Sequence, residues 1–276
     1  MMPAVSAVFG LVSLLFGVFQ SPAADDRIVT ERIHHLRSGD EREWAEFPER
    51  AEGKELAIGF QAKANHGEQT LRIRHRDLKQ PWRVLLNGEE IAQLPPDESD
   101  MFTYFAVPAG TLKAGVNELR VHCTGRASDD VLVGPVTLID RPREQALSDA
   151  TVDVSVFEEP GGRAIPSRIT VADERGTLVP LGNVSSPPHA VRPGVVYTQG
   201  DAVRLKLPAG KYVIYAGRGF AYSVATVEVQ LSKGSHASRR LTIRREVDTS
   251  GWAAMDTHVT RERSRTMVMR VSRNGC

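Results

Sequence analysis

The sequence predicts an all-β protein, two antiparallel β-sandwich domains following a signal peptide. Three observations carry this. Apolar residues recur with a period of two in many short runs, as half-buried strands do. Gly, Pro and Asn interrupt those runs at close intervals. Val, Gly and Pro are dense, while runs with helical spacing are few. A net charge of +1 argues against a nucleic-acid-binding protein.

The first element is a targeting segment. Ala4 to Phe19 is apolar except for Ser and Gly, is short for a bilayer, and leads into Ser21-Pro22-Ala23. Residues 1–23 are therefore expected to be a secretory signal cut after Ala23. With no Lys or Arg before the apolar run, an uncleaved anchor is the alternative and the only expected membrane contact. Either way the remainder is expected to be secreted or periplasmic. About 250 of the 276 residues are then left, enough for two domains with real cores.

Residues 27–139 are read as the first sandwich. Leu56, Ile58, Phe60 and Ala62 alternate with polar positions, as do Leu71 and Ile73, then Leu119, Val121 and Cys123. Asn87-Gly88 after Val84-Leu85-Leu86 is a strong hairpin signal, and Pro95-Pro96-Asp97 breaks the chain again. The order of parts runs from Leu86-Asn87-Gly88 through Val107-Pro108-Ala109-Gly110 and Gly115-Val116-Asn117-Glu118-Leu119 to Asp129-Asp130-Val131. It resembles a galactose-binding-like jelly roll. The likeness implies that Gly115 takes a special backbone angle and Asn117 starts a strand. It does not imply sugar binding, because the same fold also serves as a spacer.

A polar linker, Asp140 to Asp149 with Pro142, leads to a second sandwich over 151–245. A linker of this composition permits either rigid packing or flexing. Val152, Val154 and Val156 alternate, Ile169 and Val171 follow, and Gly176 marks a turn. Leu205 to Ala216 reads as strand, Pro-Ala-Gly turn, strand. That unit resembles carboxypeptidase-regulatory-like and related immunoglobulin-like modules. Val227, Val229 and Leu231 lie on a further strand, and Leu241 to Arg245 on the last.

Residues 246–276 follow a different pattern, beginning with Gly251-Trp252-Ala253-Ala254-Met255-Asp256-Thr257-His258. Together with Pro208-Ala209-Gly210-Lys211-Tyr212, Arg218-Gly219-Phe220-Ala221-Tyr222 and Arg244-Arg245, this motif resembles the lead-in of secreted PHP-type (polymerase and histidinol phosphatase) metallohydrolases. The likeness is most specific over 205–258. It implies that Asp256 and His258 are a remnant of a metal site, incomplete because Thr260 stands where a second His is expected. Two His one residue apart on a strand share a face, and a Thr hydroxyl is a poor replacement for an imidazole. In an intact relative, a domain of roughly 200 residues would hold divalent metal and aim a bound hydroxide at an ester. This chain is expected to hold no cofactor, since one or two ligands do not close a coordination sphere.

A reading-frame slip is expected near Val259-Thr260. Restoring one base admits a second His there and then His-Gly-Asp-Ala, followed after two residues by Glu-Glu-Arg-Met. In that frame the Gly is forced, as is the Ala if Arg270 has a CGN codon. The other positions are choices among several residues. The segment itself carries Arg261, Arg263, Arg265, Arg270 and Arg273 without interleaved aromatics, so nucleic-acid binding is not expected of it.

Other polar groups are expected to be structural. His34 and His35 are adjacent, so their rings face opposite sides of a strand and are read as surface histidines. Asp129-Asp130 is read as a solvated turn rather than a calcium loop. Ser185-Ser186 with His189 lacks a nucleophile elbow. Cys123 is read as a small buried hydrophobe, and with Cys276 it gives no disulfide framework. Trp44, Trp82 and Trp252 are expected to pack in the core or at hinges rather than stack on sugars.

Three functions remain open: non-catalytic accessory domains of a PHP-type hydrolase, an extracellular carbohydrate- or ligand-binding module, and a residual enzyme completed by another chain. The partner is unknown, and an extracellular carbohydrate is the one ligand class named.

Overall fold

The computed structural model describes residues 26–252. The predicted signal segment, residues 1–23, and the Asp256–His258 motif lie outside them.

The first half contains β1 (Arg27–Thr30), β2 (His34–Arg37), β3 (Glu55–Ala62), β4 (Gln69–Arg76) and β5 (Trp82–Leu86). It continues with β6 (Glu89–Leu94), β7 (Met101–Val107), β8 (Gly115–Cys123) and β9 (Asp130–Ile139). A one-turn helix, α1 (Arg143–Ala146), follows. The second half contains β10 (Ala150–Glu159), β11 (Arg163–Ala164), β12 (Pro166–Ala172), β13 (Ala190–Arg192) and β14 (Val195–Gln199). It closes with β15 (Val203–Leu207), β16 (Gly210–Gly217), β17 (Ala225–Leu231) and β18 (His236–Arg244).

The protein is all-β, built of antiparallel sheets packed as sandwiches. In the first half one sheet has the order β1-β9-β4-β7, with β2 also on β9, and the other has β3-β8-β5-β6. In the second half a five-stranded sheet, β13-β14-β12-β16-β17, faces one in which β10 carries β11 and β15 along one edge and β18 along the other. Alternation decides what is buried: Leu71, Ile73, Val84, Leu86, Leu119 and Val121 turn inward in the first half, and Val152, Val154, Leu205 and Ile214 in the second. The two main apolar clusters draw on residues 36–138 and 150–243 respectively, without sharing a side chain.

Turn chemistry behaves as the sequence predicts in the first half. Asn87 and Gly88 both have positive φ, +53° and +85°, the two-residue hairpin geometry that lets β5 return as β6. Gly115 has φ +100°. Two residues later Asn117 is buried and ties the turn: its Oδ1 accepts from the Lys113 amide and Asn87 Nδ2, and its Nδ2 donates to the Lys113 and Gly115 carbonyls.

Three features are decided by tertiary packing. Pro208-Ala209-Gly210 does not close a hairpin, because β15 pairs with β10 whereas β16 pairs with β12 and β17. The turn carries the chain from one sheet to the other. There the buried Tyr212 donates its hydroxyl to the Pro208 carbonyl at 2.8 Å, and burial pushes its pKa up. Second, β18 runs parallel to β10 along nine residue pairs, the one parallel ladder among the described strands. Its register is set by Gly234 N–H to Asp149 O (2.7 Å) and Thr151 N–H to Ser235 O (3.0 Å).

Third, the linker is packed. Ala146 and Leu147 are buried against Tyr104 and Ile139, with Phe102 alongside. Arg143 donates to the Tyr104 carbonyl (2.7 Å) and Arg141 forms a two-point ion pair with Asp149. A polar composition hid two apolar residues on the inner side of a single helical turn.

Candidate functional site

The most heavily built polar site lies at one end of the first sandwich, where β2 and β9 pair. Strand alternation sends His34 and His35 to opposite sides. His34 approaches Glu52 (Nδ1 to Oε2, 3.0 Å), and His35 Nε2 lies 2.6 Å from Asp130 Oδ1. Both rings are buried rather than on the surface. Asp129 and Asp130 are wholly buried as well, not a solvated turn. A buried carboxylate persists only with partners, and each has several.

Asp130 takes His35, Arg37 Nε (2.8 Å) and the Glu43 amide (2.7 Å). Burial alone would raise its pKa, but the Glu43 amide, His35 and Arg37 outweigh that and hold it below the ordinary carboxylate value. Asp129 takes the amides of Lys79 (3.2 Å) and Gln80 (3.0 Å) and the indole N–H of Trp82 (2.7 Å). Here burial prevails over those bonds and the pKa is raised.

Between them these carboxylates position an exposed aromatic. Asp130 fixes the backbone of Glu43, and Asp129 fixes that of Lys79. The two side chains then meet, Lys79 Nζ to Glu43 Oε2 at 3.2 Å, and the ammonium sits 5.9 Å from the centre of the Trp44 ring. Trp44 is 54% exposed. Trp82 is in the core, as expected of a sandwich tryptophan, but Trp44 and Trp252 (84% exposed) are not.

A second cluster gathers the motifs at the far end of the second sandwich. Tyr222 forms an isolated bridge with Arg245, whose guanidinium lies 5.1 Å from the Tyr222 ring centre and donates to its hydroxyl at 3.1 Å. That hydroxyl donates to Glu158 Oε1 at 3.0 Å, and Arg218 lies 5.6 Å from the ring. The Glu246 amide donates to the Ala221 carbonyl, Arg245 Nη1 to Thr249 Oγ1, and the Trp252 amide to the Thr249 carbonyl. Phe220 stands wholly exposed beside them.

The remaining candidates form no catalytic arrangement: Ser186 and His189 pair through their backbones alone, each amide donating to the other's carbonyl. Ser185 Oγ bonds the Val191 backbone, while His189 Nε2 lies 2.6 Å from Asp201 Oδ2. Cys123 is half-buried against the first core and accepts the Gly125 amide through Sγ. Among the described residues, no group of three or more His, Cys, Asp or Glu is placed to hold a metal ion. No helix among them is long and apolar enough to cross a membrane. Asp256 and His258, the predicted metal remnant, fall outside the described residues. The buried carboxylates were missed because their partners are remote in sequence: 95 positions separate His35 from Asp130.

No family model matches the chain, and no curated protein does. Among solved structures it is similar to the major pilin subunit of Bacillus cereus, at 9% identity and a TM-score of 0.25, covering 76% of this chain and 70% of that one. It is similar also to the Bacillus anthracis TIE protein (11%, TM-score 0.26, 82% of this chain and 42% of that one). A third is a β-glucuronidase of Faecalibacterium prausnitzii (13%, TM-score 0.25, 64% and 36%). The chain thus spans less than half of the last two. Likenesses this remote assign no activity.

Proposed function

We propose that the two sandwiches are non-catalytic accessory domains of a PHP-type metal-dependent hydrolase. The observation that supports this is the Tyr222–Arg245 cluster. Three of the sequence elements that carry the family resemblance are linked in series at one end of the second sandwich: Tyr222 of Arg218-Gly219-x-x-Tyr222 holds Arg245 from 23 positions away, Arg245 reaches Thr249, and the Thr249 carbonyl accepts the Trp252 amide. The cluster holds the polypeptide from the end of β18 as far as Trp252, the segment that precedes Asp256 and His258 in sequence. A segment held in this way suits a module that holds a following metal domain in place.

In that domain a divalent metal would supply a hydroxide nucleophile for ester hydrolysis. The part proposed for the described residues is to hold the segment that precedes Asp256 and His258.

Resequencing the gene through codons 255–276 and onward in every frame tests this. The expected result is that one restored base gives a second His after His258 and an open frame of roughly 200 codons. Closed downstream frames would leave two sandwiches with no hydrolase to serve, and the proposal would fall.

A further inference from the structure

The loop of residues 38–52 between β2 and β3 is long for a connection in a sandwich and has no strand of its own. It is nonetheless tied along its length. Ser38 N–H donates to Asp129 O, Ser128 Oγ to Glu41 O, and the Glu43 amide to Asp130 Oδ2. Arg37 donates to the carbonyls of Pro48 and Glu49, and the buried Phe47 stacks on His35 at 5.1 Å between ring centres. What these bonds present to solvent is the ring of Trp44.

A lone exposed apolar residue is ordinary on a protein surface. Trp44 differs in what supports it. The residue before it and the lysine against it are each anchored through the backbone to a wholly buried carboxylate. Burying such charges is costly unless every partner is in place, so the loop is held at both anchors. Lys79 Nζ is itself shut off from solvent and has the Glu43 carboxylate as its partner. It therefore supports the ring rather than reaching a ligand. Glu43 spends Oε2 on Lys79 and on the Asp130 amide, leaving Oε1 to accept a hydrogen bond.

We infer that Trp44 and Glu43 form a binding face for a neutral saccharide, with Lys79, Asp129 and Asp130 as positioning residues. A flat indole takes the C–H face of a pyranose, and the carboxylate of the preceding residue, joined to the ring through Lys79, can accept from a sugar hydroxyl. Because the face is pre-formed, little ordering cost opposes binding. Charge selects among sugars. Asp40, Glu43 and Glu52 are paired with Lys54, Lys79 and Arg32, and the exposed Glu41, Glu46 and Glu49 then outnumber the exposed Arg42 and Arg50, a small negative excess that disfavours uronic or sulfated chains. The inference is independent of the hydrolase proposal, since it uses no residue beyond Asp130.

The test is calorimetric titration of the full chain with neutral hexasaccharides of glucose, xylose, mannose and galactose, and with polygalacturonate and heparin as anionic counterparts. At least one neutral series is expected to bind. Trp44→Ala should weaken it about tenfold or more, while Trp252→Ala, which removes the other exposed tryptophan, leaves it unchanged. Near-ultraviolet dichroism from the buried Trp82 reports whether each variant is folded. Failure of every neutral sugar, a preference for the anionic polymers, or full affinity in a folded Trp44→Ala protein would overturn the assignment. Trp44→Phe, which keeps a smaller ring, should retain intermediate affinity.

Discussion

Leu178 lies between Asp100 and Phe102 on the free edge of β7: its N–H donates to the Asp100 carbonyl at 2.8 Å, and its carbonyl accepts from the Phe102 amide at 3.0 Å. A loop of the second sandwich thereby occupies the open edge of a sheet in the first. Unpaired edges are otherwise templates for unwanted pairing, so this contact both joins the two halves and protects β7. The Asp100 side chain completes it, taking Arg74 through both carboxylate oxygens and Thr177 Oγ1 at 3.4 Å. The Arg74 pKa is raised chiefly by its hydrogen bond to Asp100.

Asp100→Ala is accordingly expected to cost about 2 kcal/mol, as for a charge-assisted hydrogen bond at a partly buried site. Because the lost bonds sit at the junction, amide exchange should quicken at Phe102 and Leu178 more than in either core. Urea unfolding and hydrogen exchange measure the two effects. A drop in stability with exchange unchanged at those two amides would show that Asp100 serves the first sandwich alone.

Buried polar groups of this kind mark where the sequence could and could not be read. Asn87-Gly88 and Gly115 were legible because a turn's backbone demand is met by the residues in the turn. Alternation exposed the strands for the same reason. His35, Asp129 and Asp130 were misread because a polar side chain is assigned to the surface unless its partners are known, and here they come from remote strands and loops. The β10–β18 ladder and the sheet change at Pro208 are likewise decided by which strand lies alongside, something no local pattern encodes. Trp44 looked the same as Trp82 in sequence; only the loop anchored beneath it separates a candidate platform from a core residue.

His75 predicts an acid sensitivity. It is buried, with Nε2 2.8 Å from Thr103 Oγ1, and burial lowers its pKa to about 4 against the partial opposition of Asp97 and Asp100. In the unfolded chain it titrates near 6.5. Folding with a neutral ring costs nothing above pH 6.5. As pH falls from 6.5 to about 4, the unfolded state binds a proton that the folded state refuses, and stability declines by at most about 3 kcal/mol. Below about 4 both states are protonated and this contribution levels off. Urea denaturation across that window should show the decline in the wild type and a shallower one in His75→Gln. Equal slopes in the two proteins would assign the acid response elsewhere.

Asp130→Ala should be among the most damaging single changes in the first sandwich. It strips the carboxylate from two nearly buried cations, or potential cations, His35 and Arg37, and unties the Glu43 amide. Removing one partner of a buried pair typically costs about 3 to 5 kcal/mol. Asp130→Asn keeps an acceptor and should cost less. If the loop is held as described, exchange at residues 41–49 quickens in both variants, in the same order as their loss of stability. Near wild-type stability for Asp130→Ala, read by thermal unfolding, would mean that the remaining ties suffice.

Metal binding provides the last test, and its expectation follows from ligand number. A tetrahedral catalytic centre takes three protein ligands plus water, while the sequence offers Asp256 and His258 with Thr260 in the third place. Affinity that depends on so few donors is too weak to survive dialysis. After loading with manganese or zinc and exhaustive dialysis, the purified chain should retain no stoichiometric ion, and its thermal midpoint should not move when a chelator is added. Thr260→His should increase retention only modestly, because it brings this segment to three donors at most. Tight stoichiometric metal in the wild type, lost in His258→Ala, would instead identify a residual site completed by groups from another chain.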